Sequence, residues 1–476
     1  MSEDSPRPDA SNANSLDDRP ATVNDRREIF GWMAYDWANS AFSTTVAGAL
    51  LAPYLTVLAQ TAVGENGVVL NLGPLGTVTA KSFATLYVSI SVGLQVFLLP
   101  VLGSIADHSN LKKRMMALFC FAGAALTCLM FFLQGNLYLF GGLLFILANL
   151  CFGAALVFYN SFLPQISTED RRDSVSSRGF AAGYFGGGLL LALNFLLVLS
   201  APRLGISNAL AVRISLLSAG VWWGGFSLIT FALLRSRAPS KSLPVGKSYL
   251  SSGLSELKAT FGELRRLPNT LRYLIGYLFF NDGIQTVIYA AGTFLSQELF
   301  VSRGLPDNPA FLLGIFLMVQ FIAFGGALLF ERIAKWVGTK NAIMLSLVIW
   351  AGIVIYAYGF FRTATDAWVM SAMIGVVLGG SQALSRSLFS RMIPKGREAS
   401  FFGIYEVSER GTSWMGPLVF SIVVASTGSY RQAILALIVF FIIGIFVLYF
   451  TDTDRAVHEA GNHLPEEAAE TLNAER

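Results

Sequence analysis

Apolar runs of about 20 residues or more, divided by short polar breaks, recur along nearly the whole chain, and each is long enough to cross a hydrocarbon core of about 30 Å as a helix. Twelve spans are predicted, at 28–60, 82–106, 113–133, 137–163, 178–200, 211–235, 271–299, 309–336, 340–361, 366–392, 400–426 and 430–451. The first and seventh are long enough to tilt or bend, and Pro53 is placed to help bend the first. Ten-residue stretches of alternating polarity, the mark of a membrane barrel, do not occur. The longest internal connection, Ser236 to Thr270, separates two sets of six spans. Within it Leu254, Leu257, Phe261 and Leu264 fall at helical spacing beside Lys258, Arg265 and Arg266, a pattern that fits an amphipathic interfacial helix or a solvated linker. The expected organisation is a disordered tail (1–27), a six-helix bundle (28–235), the linker (236–270), a second six-helix bundle (271–453) and an acidic tail (454–476).

Composition narrows the class to an all-α polytopic membrane protein. Of 476 residues 54% are hydrophobic and 13% charged, with a mean hydropathy of +0.57, which excludes an ordinary soluble domain and a disordered chain. The net charge of +4 is small, so its placement matters more. Odd-numbered connections hold only Lys81, Arg203, Arg213, Arg303, Arg362 and Arg431; Arg386 and Arg410 lie inside spans. The tails and even-numbered connections carry about 26 of the 34 basic residues, which puts both tails in the cytoplasm. The expected location is a plasma or inner membrane, with a vacuolar membrane as the alternative. No basic cluster interleaved with aromatics points to nucleic acid. The three cysteines lie in apolar segments, which argues against a disulfide framework. All three histidines lie in loops or tails, so neither a histidine triad nor a metal site is expected in the membrane, nor is any cofactor. There is no Walker loop for direct ATP drive.

The halves carry traces of duplication. Gly31-Trp-Met-Ala-Tyr-Asp36 lies over Gly276-Tyr-Leu-Phe-Phe-Asn281-Asp282, and Ser161-Phe-Leu-Pro164 over Ser390-Arg-Met-Ile-Pro394. Between the second and third spans runs Gly103-Ser-Ile-Ala-Asp107-His-Ser-Asn-Leu-Lys112-Lys113-Arg114, which resembles the loop motif of the major facilitator superfamily; Asn110 stands at the usual turn glycine and Leu111 at a basic position. The equivalent second-half loop keeps Gly338 and lacks the aspartate. Tyr35-Asp-Trp-Ala-Asn-Ser-Ala-Phe42 is similar to the first-helix signature of the "unknown major facilitator" family, whose fungal relatives are the autophagy-related vacuolar amino-acid effluxers. The superfamily resemblance spans 28–451 and implies the twelve-helix major-facilitator fold, a monomer in the lipid bilayer, and alternating access for a small solute. It also implies a gate at Asp107, Lys112, Lys113 and Arg114 that stabilises the outward-open state. The octapeptide alone implies amino-acid efflux.

Polar residues within the spans mark the passage. Asp36, Asn39, Ser40 and Ser43, at i, i+3, i+4 and i+7, form one stripe on an otherwise apolar helix, and an aspartate near mid-membrane costs at least about 2.5–3.5 kcal/mol unless it meets water or a partner. The stripe is therefore expected to line a cavity, with Tyr35 beside it and Asn281, Asp282 and Gln285 opposite. Glu406, Glu409, Arg410 and Ser413 repeat the spacing on the eleventh span; Glu406 and Arg410 can pair at i,i+4. Arg386 needs a carboxylate, for which Glu406 or Glu409 on the next helix is the expected partner. Gln320 and Gln382 are further cavity candidates, as are Tyr159, Asn160 and Asn194. Asp36, Asp282, Glu406 and Glu409 are the candidates for carrying a proton or other coupling ion. Asp36 is favoured, because a carboxylate facing a permanent arginine charge stays ionised, and this assigns Arg386 and Arg410 structural or anion-contacting roles. Uncoupled facilitated diffusion, a multidrug or lipid exporter on the same fold, and an intramembrane enzyme with an Asp36–Asp282 dyad are the alternatives.

Overall fold

The structure, a computed structural model, describes residues 23–464 other than 66, 72, 74–76, 108–110, 237–248, 307 and 411–413, and only the backbone of 249–256. The tail segments 1–22 and 465–476, Asn110 and Ser413 therefore lie outside the described residues. The chain is almost wholly helical. Asp25 caps α1 (Arg26–Ala41) by accepting a hydrogen bond from the Arg27 N–H. The same rod continues through a wide-turned π segment, Phe42–Leu50, into α2 (Leu51–Val63), so the irregularity lies ahead of Pro53. A short antiparallel hairpin, Val68–Asn71 with Thr77–Thr79, connects to α3 (Phe83–Asp107); the span pattern contained no sign of it.

Then follow α4 (Lys112–Leu129), α5 (Tyr138–Ile166), α6 (Arg172–Ser200), α7 (Asn208–Leu233), α8 (Tyr249–Leu264), α9 (Pro268–Leu299), α10 (Pro309–Val337), α11 (Thr339–Gly359) and α12 (Ala364–Arg391). The last predicted spans are subdivided: α13 (Glu398–Arg410) and α14 (Met415–Thr427), then α15 (Tyr430–Ala436) and α16 (Ile438–Tyr449). Among the described residues, ten helical segments are long and apolar enough to cross a membrane, not twelve. The difference falls on α9 and on the α13–α14 pair, which carry Asn281, Asp282, Glu406, Glu409 and Arg410 within the predicted spans. Helix α6 starts six residues ahead of its apolar run, because buried Arg172 and half-buried Asp173 are paired rather than excluded from the helix.

Apolar packing gathers into two cores, one built from Trp32 to Leu234 and one from Leu264 to Val457. Gly31 abuts Leu233 at the end of α7 and Gly276 abuts Val447 in α16, so the duplicated glycines make equivalent helix contacts in the two halves. Ala399, at the start of α13, belongs to the first core and so ties the halves together.

Both described chain ends meet one face of the molecule. The Asn24 N–H donates to the Ile166 carbonyl, and the Asn462 amide donates to the carbonyls of Arg391 and Ile393. Residues 23–27, expected as part of a disordered tail, and 454–464, expected as part of the acidic tail, are thus folded; the latter belong largely to a short helix, α17 (Thr453–Glu459), with Ala456 and Val457 buried. The described part of α8 packs on α3, with Thr260 and Leu264 buried, Phe261 half exposed and Glu263 paired with Arg397. It is neither a free linker nor a helix presenting its apolar face only to an interface.

Candidate functional site

A cavity of about 390 Å³ lies between the two halves. All four members of the α1 stripe, Asp36, Asn39, Ser40 and Ser43, line it. They can do so because α6 approaches α1 closely: a Cβ on Gly179 would stand 2.5 Å from Asp36 Oδ2. From the second half come Gln285, Gln320, Gln382, Arg386, Glu406, Glu409 and Arg410, with Asn160, Tyr184, Tyr277 and Tyr405 completing the polar wall.

Asp36 and Arg386 form the floor. Arg386 Nη2 stands 3.2 Å from Asp36 Oδ2, both residues being more than nine-tenths buried. The remaining guanidinium donors go to Asn160 Oδ1 at 3.3 Å, Ser176 Oγ at 2.9 Å and the Ser176 carbonyl at 3.0 Å. Arg386 thus takes its carboxylate from α1 in the opposite half, not from Glu406 or Glu409. A buried arginine needs a charge of opposite sign and several acceptors, and the first half supplies them all. Asp36 also accepts from the Tyr159 hydroxyl at 2.7 Å, and Trp32 stacks on Tyr159 while donating to its carbonyl. The premise that favoured Asp36 over carboxylates facing an arginine therefore does not apply in this state, since Asp36 itself faces one. Glu406 bridges the halves differently: Arg410 Nε reaches it at 3.1 Å, the anticipated i,i+4 pair, while Asn160 donates to its other oxygen at 2.8 Å.

Five of the residues assigned to the cavity lie elsewhere: Tyr35, Tyr159, Asn194, Asn281 and Asp282. Tyr35 is fully buried in the first core against Tyr159. Asn281 donates to the Glu409 carbonyl, and Asp282 accepts from the Gly416 N–H at 2.8 Å, at the start of α14. Residues i and i+3 still point about 60° apart around a helix, so Gln285 can face the cavity while Asp282 turns into the second half. Asp36 and Asp282 hold separate partners and form no dyad. Asn194 accepts from Ser218 and lies off the cavity, whereas Gln320 and Gln382 line it, Gln382 accepting from Tyr184 at 2.6 Å. Ser176, Tyr184, Tyr277 and Tyr405 were not anticipated; in apolar runs such residues look like packing, and only the fold turns them inward.

Below the cavity, toward the face that carries the chain ends, the halves are joined by further polar contacts. Asp107 accepts hydrogen bonds from the Ala399 N–H (3.0 Å), the Ser400 N–H (2.8 Å) and the Ser400 hydroxyl (2.7 Å), at the start of α13. Exposed N–H groups and the helix dipole favour an anion there. The approach depends on Gly103, whose Cβ would collide with the Ala399 carbonyl at 2.2 Å. Lys112 lies 4.0 Å from both Asp107 and Glu398, while Lys113 is half-buried and Arg114 exposed. Arg391 pairs with Asp173 at 2.8 Å, and Arg172 donates to the Ser390 carbonyl.

This arrangement has relatives. Residues 24–461 match the family described as "Vacuole effluxer Atg22 like". An uncharacterized MFS-type transporter, YxiO, of Bacillus subtilis is 29% identical over 91% of this chain and 97% of its own. Autophagy-related protein 22 of Yarrowia lipolytica is 28% identical over 80% of this chain and 77% of its own. Among solved structures, a bacterial homologue of the iron transporter ferroportin in its outward-facing state superposes with a TM-score of 0.62 at 12% identity, covering 89% of this chain and 98% of that one. The proton:xylose symporter XylE superposes with a TM-score of 0.62 at 15% identity, covering 93% and 97%. These likenesses give the major-facilitator fold. The chain belongs to the Atg22-like vacuole effluxer family of major facilitator superfamily transporters.

Proposed function

We propose that this chain is a secondary active transporter that moves a small polar solute, of the amino-acid class and in the efflux direction, by rocking two six-helix halves, 28–235 and 271–453, about the central cavity. The observation that carries this reading is the buried Asp36–Arg386 pair, which joins opposite halves at the cavity floor. If the halves part, the pair must break, and Asp36 is then free to take a proton. Proton binding and conformational change are coupled through that one contact. Asp107 with the α13 start, and Arg391 with Asp173, act as the gate on the same side. The polar lining suits a hydrogen-bonding solute better than a lipid or an apolar drug. The basic residues on the tails and even connections support a cytoplasmic gated side, with the chain acting as a monomer in a plasma or inner membrane.

The test is uptake and counterflow of an amino-acid panel in proteoliposomes, with and without a pH gradient. For Asp36→Asn, gradient-driven accumulation is expected to vanish while solute counterflow persists. An Asp36→Asn protein that still accumulates solute with the gradient would remove Asp36 from the coupling role.

A further inference from the structure

Among the described residues, the aromatic rings stacked on Arg386 and the acceptors of its hydrogen bonds belong to one half only. Its guanidinium carbon lies 4.2 Å from the ring centre of Phe180, 4.8 Å from that of Trp32 and 5.5 Å from that of Tyr159. These rings, with Asp36, Asn160 and the hydroxyl and carbonyl of Ser176, all come from α1, α5 and α6, whereas Arg386 arrives on α12 from the other half. The walls are fastened to one another without Arg386: Trp32 donates to the Tyr159 carbonyl at 2.9 Å and stacks on its ring at 4.4 Å, and Tyr159 donates to Asp36. Aromatic faces attract a cation within about 6 Å, and a planar guanidinium matches both stacked rings and forked acceptors.

We infer that this cage is a guanidinium site in the first half, filled from within by Arg386 in the present state and open to the guanidinium group of a solute when the halves separate. The inference rests on the rocking motion proposed above. Withdrawal of Arg386 leaves a carboxylate among three aromatic rings, a costly arrangement that a cation relieves. Asp36, Asn160 and Phe180 already line the cavity, so a solute can reach the cage. The nearby charged groups are Glu406, Glu409 and Arg410 on α13; Arg410 pairs with Glu406 and leaves Asp36 to the incoming cation. Solute and proton then compete for one carboxylate.

The first experiment empties the cage. Full-length Arg386→Ala is melted in detergent with millimolar methylguanidine, its neutral planar counterpart methylurea, or methylammonium. Tm is expected to climb with methylguanidine concentration, to stay flat with methylurea, and to lose its response when Trp32→Leu is added. A response that methylurea matches, that survives Trp32→Leu, or that methylammonium exceeds overturns the guanidinium assignment, as does a cooperative melt that methylguanidine leaves unmoved. Should Arg386→Ala give no cooperative melt, labelled agmatine binding to the Asp107→Asn protein replaces it. Loosening the gate exposes the cage, so binding is expected to be several-fold tighter than in the parent protein, and equal affinity overturns the proposal. Arginine-against-citrulline counterflow then separates the two readings. A methylguanidine-dependent Tm without counterflow of any guanidinium solute upholds the site and defeats the transport assignment.

Discussion

Gly179 shows how much of the site depends on a single missing carbon. Its α-carbon faces Asp36 Oδ2, Trp32 and Arg386 Nη2 at once, and a Cβ there would stand 2.5, 3.0 and 3.2 Å from them. Both ionic partners are held in place by further hydrogen bonds, to Tyr159 and to Ser176. Gly179→Ala is expected to cost about 1–3 kcal/mol, read as a lower Tm, and to weaken transport by forcing the pair apart. Gly225→Ala, whose Cβ would meet nothing within 4 Å, serves as the neutral comparison. Asp282 allows a similar contrast. Asp282→Ala leaves the Gly416 N–H without its acceptor, a loss of about 1–3 kcal/mol in a melt, whereas Asp282→Asn keeps an acceptor oxygen and is expected to stay near the parent stability. Gradient coupling should survive Asp282→Asn and fail in Asp36→Asn, because of these two aspartates it is Asp36 that pairs across the halves at the cavity.

Pairs of helices, not single ones, close the gated side, and α3 with α13 is the tightest example. Gly103 brings the helices together and Asp107 receives three hydrogen bonds from the start of α13. Bonds to a charged acceptor contribute about 1.5–3 kcal/mol each. Losing even one such contribution in Asp107→Ala is expected to raise labelling of a cysteine placed at buried Ser390 by about tenfold or more, measured with an impermeant maleimide in a background free of the native cysteines. The helices themselves were legible in the sequence wherever length and apolarity agreed. They were least legible at α9 and at α13–α14, where polar residues that serve the interior lower the hydropathy. The Asp36 stripe was legible because helical spacing is local. The partner of Arg386 was not, because it lies 350 positions away and sequence proximity pointed to the neighbouring helix. Tyr184, Tyr277 and Tyr405 were hidden for a different reason: an aromatic in an apolar run carries no mark of the side it faces.

At the scale of the molecule, the charged contacts between the two cores gather toward one side, and the proposed rocking breaks them. Breaking Asp36–Arg386 and Asp173–Arg391 leaves one negative and one positive charge behind at each place, the negative on the first half and the positive on the second. Reorientation of the unladen protein therefore carries almost no net charge through the membrane field, although moving one uncompensated charge across it would be worth about 2.3 kcal/mol per 100 mV. Voltage then acts on the cargo alone. In vesicles clamped with potassium and valinomycin, exchange of a zwitterion is expected to be indifferent to the potential. Net movement of a singly charged guanidinium against one proton on the same carboxylate should be equally indifferent, whereas net movement of a zwitterion against a proton should follow the potential, so an electrical measurement would count the charge of whatever displaces Arg386.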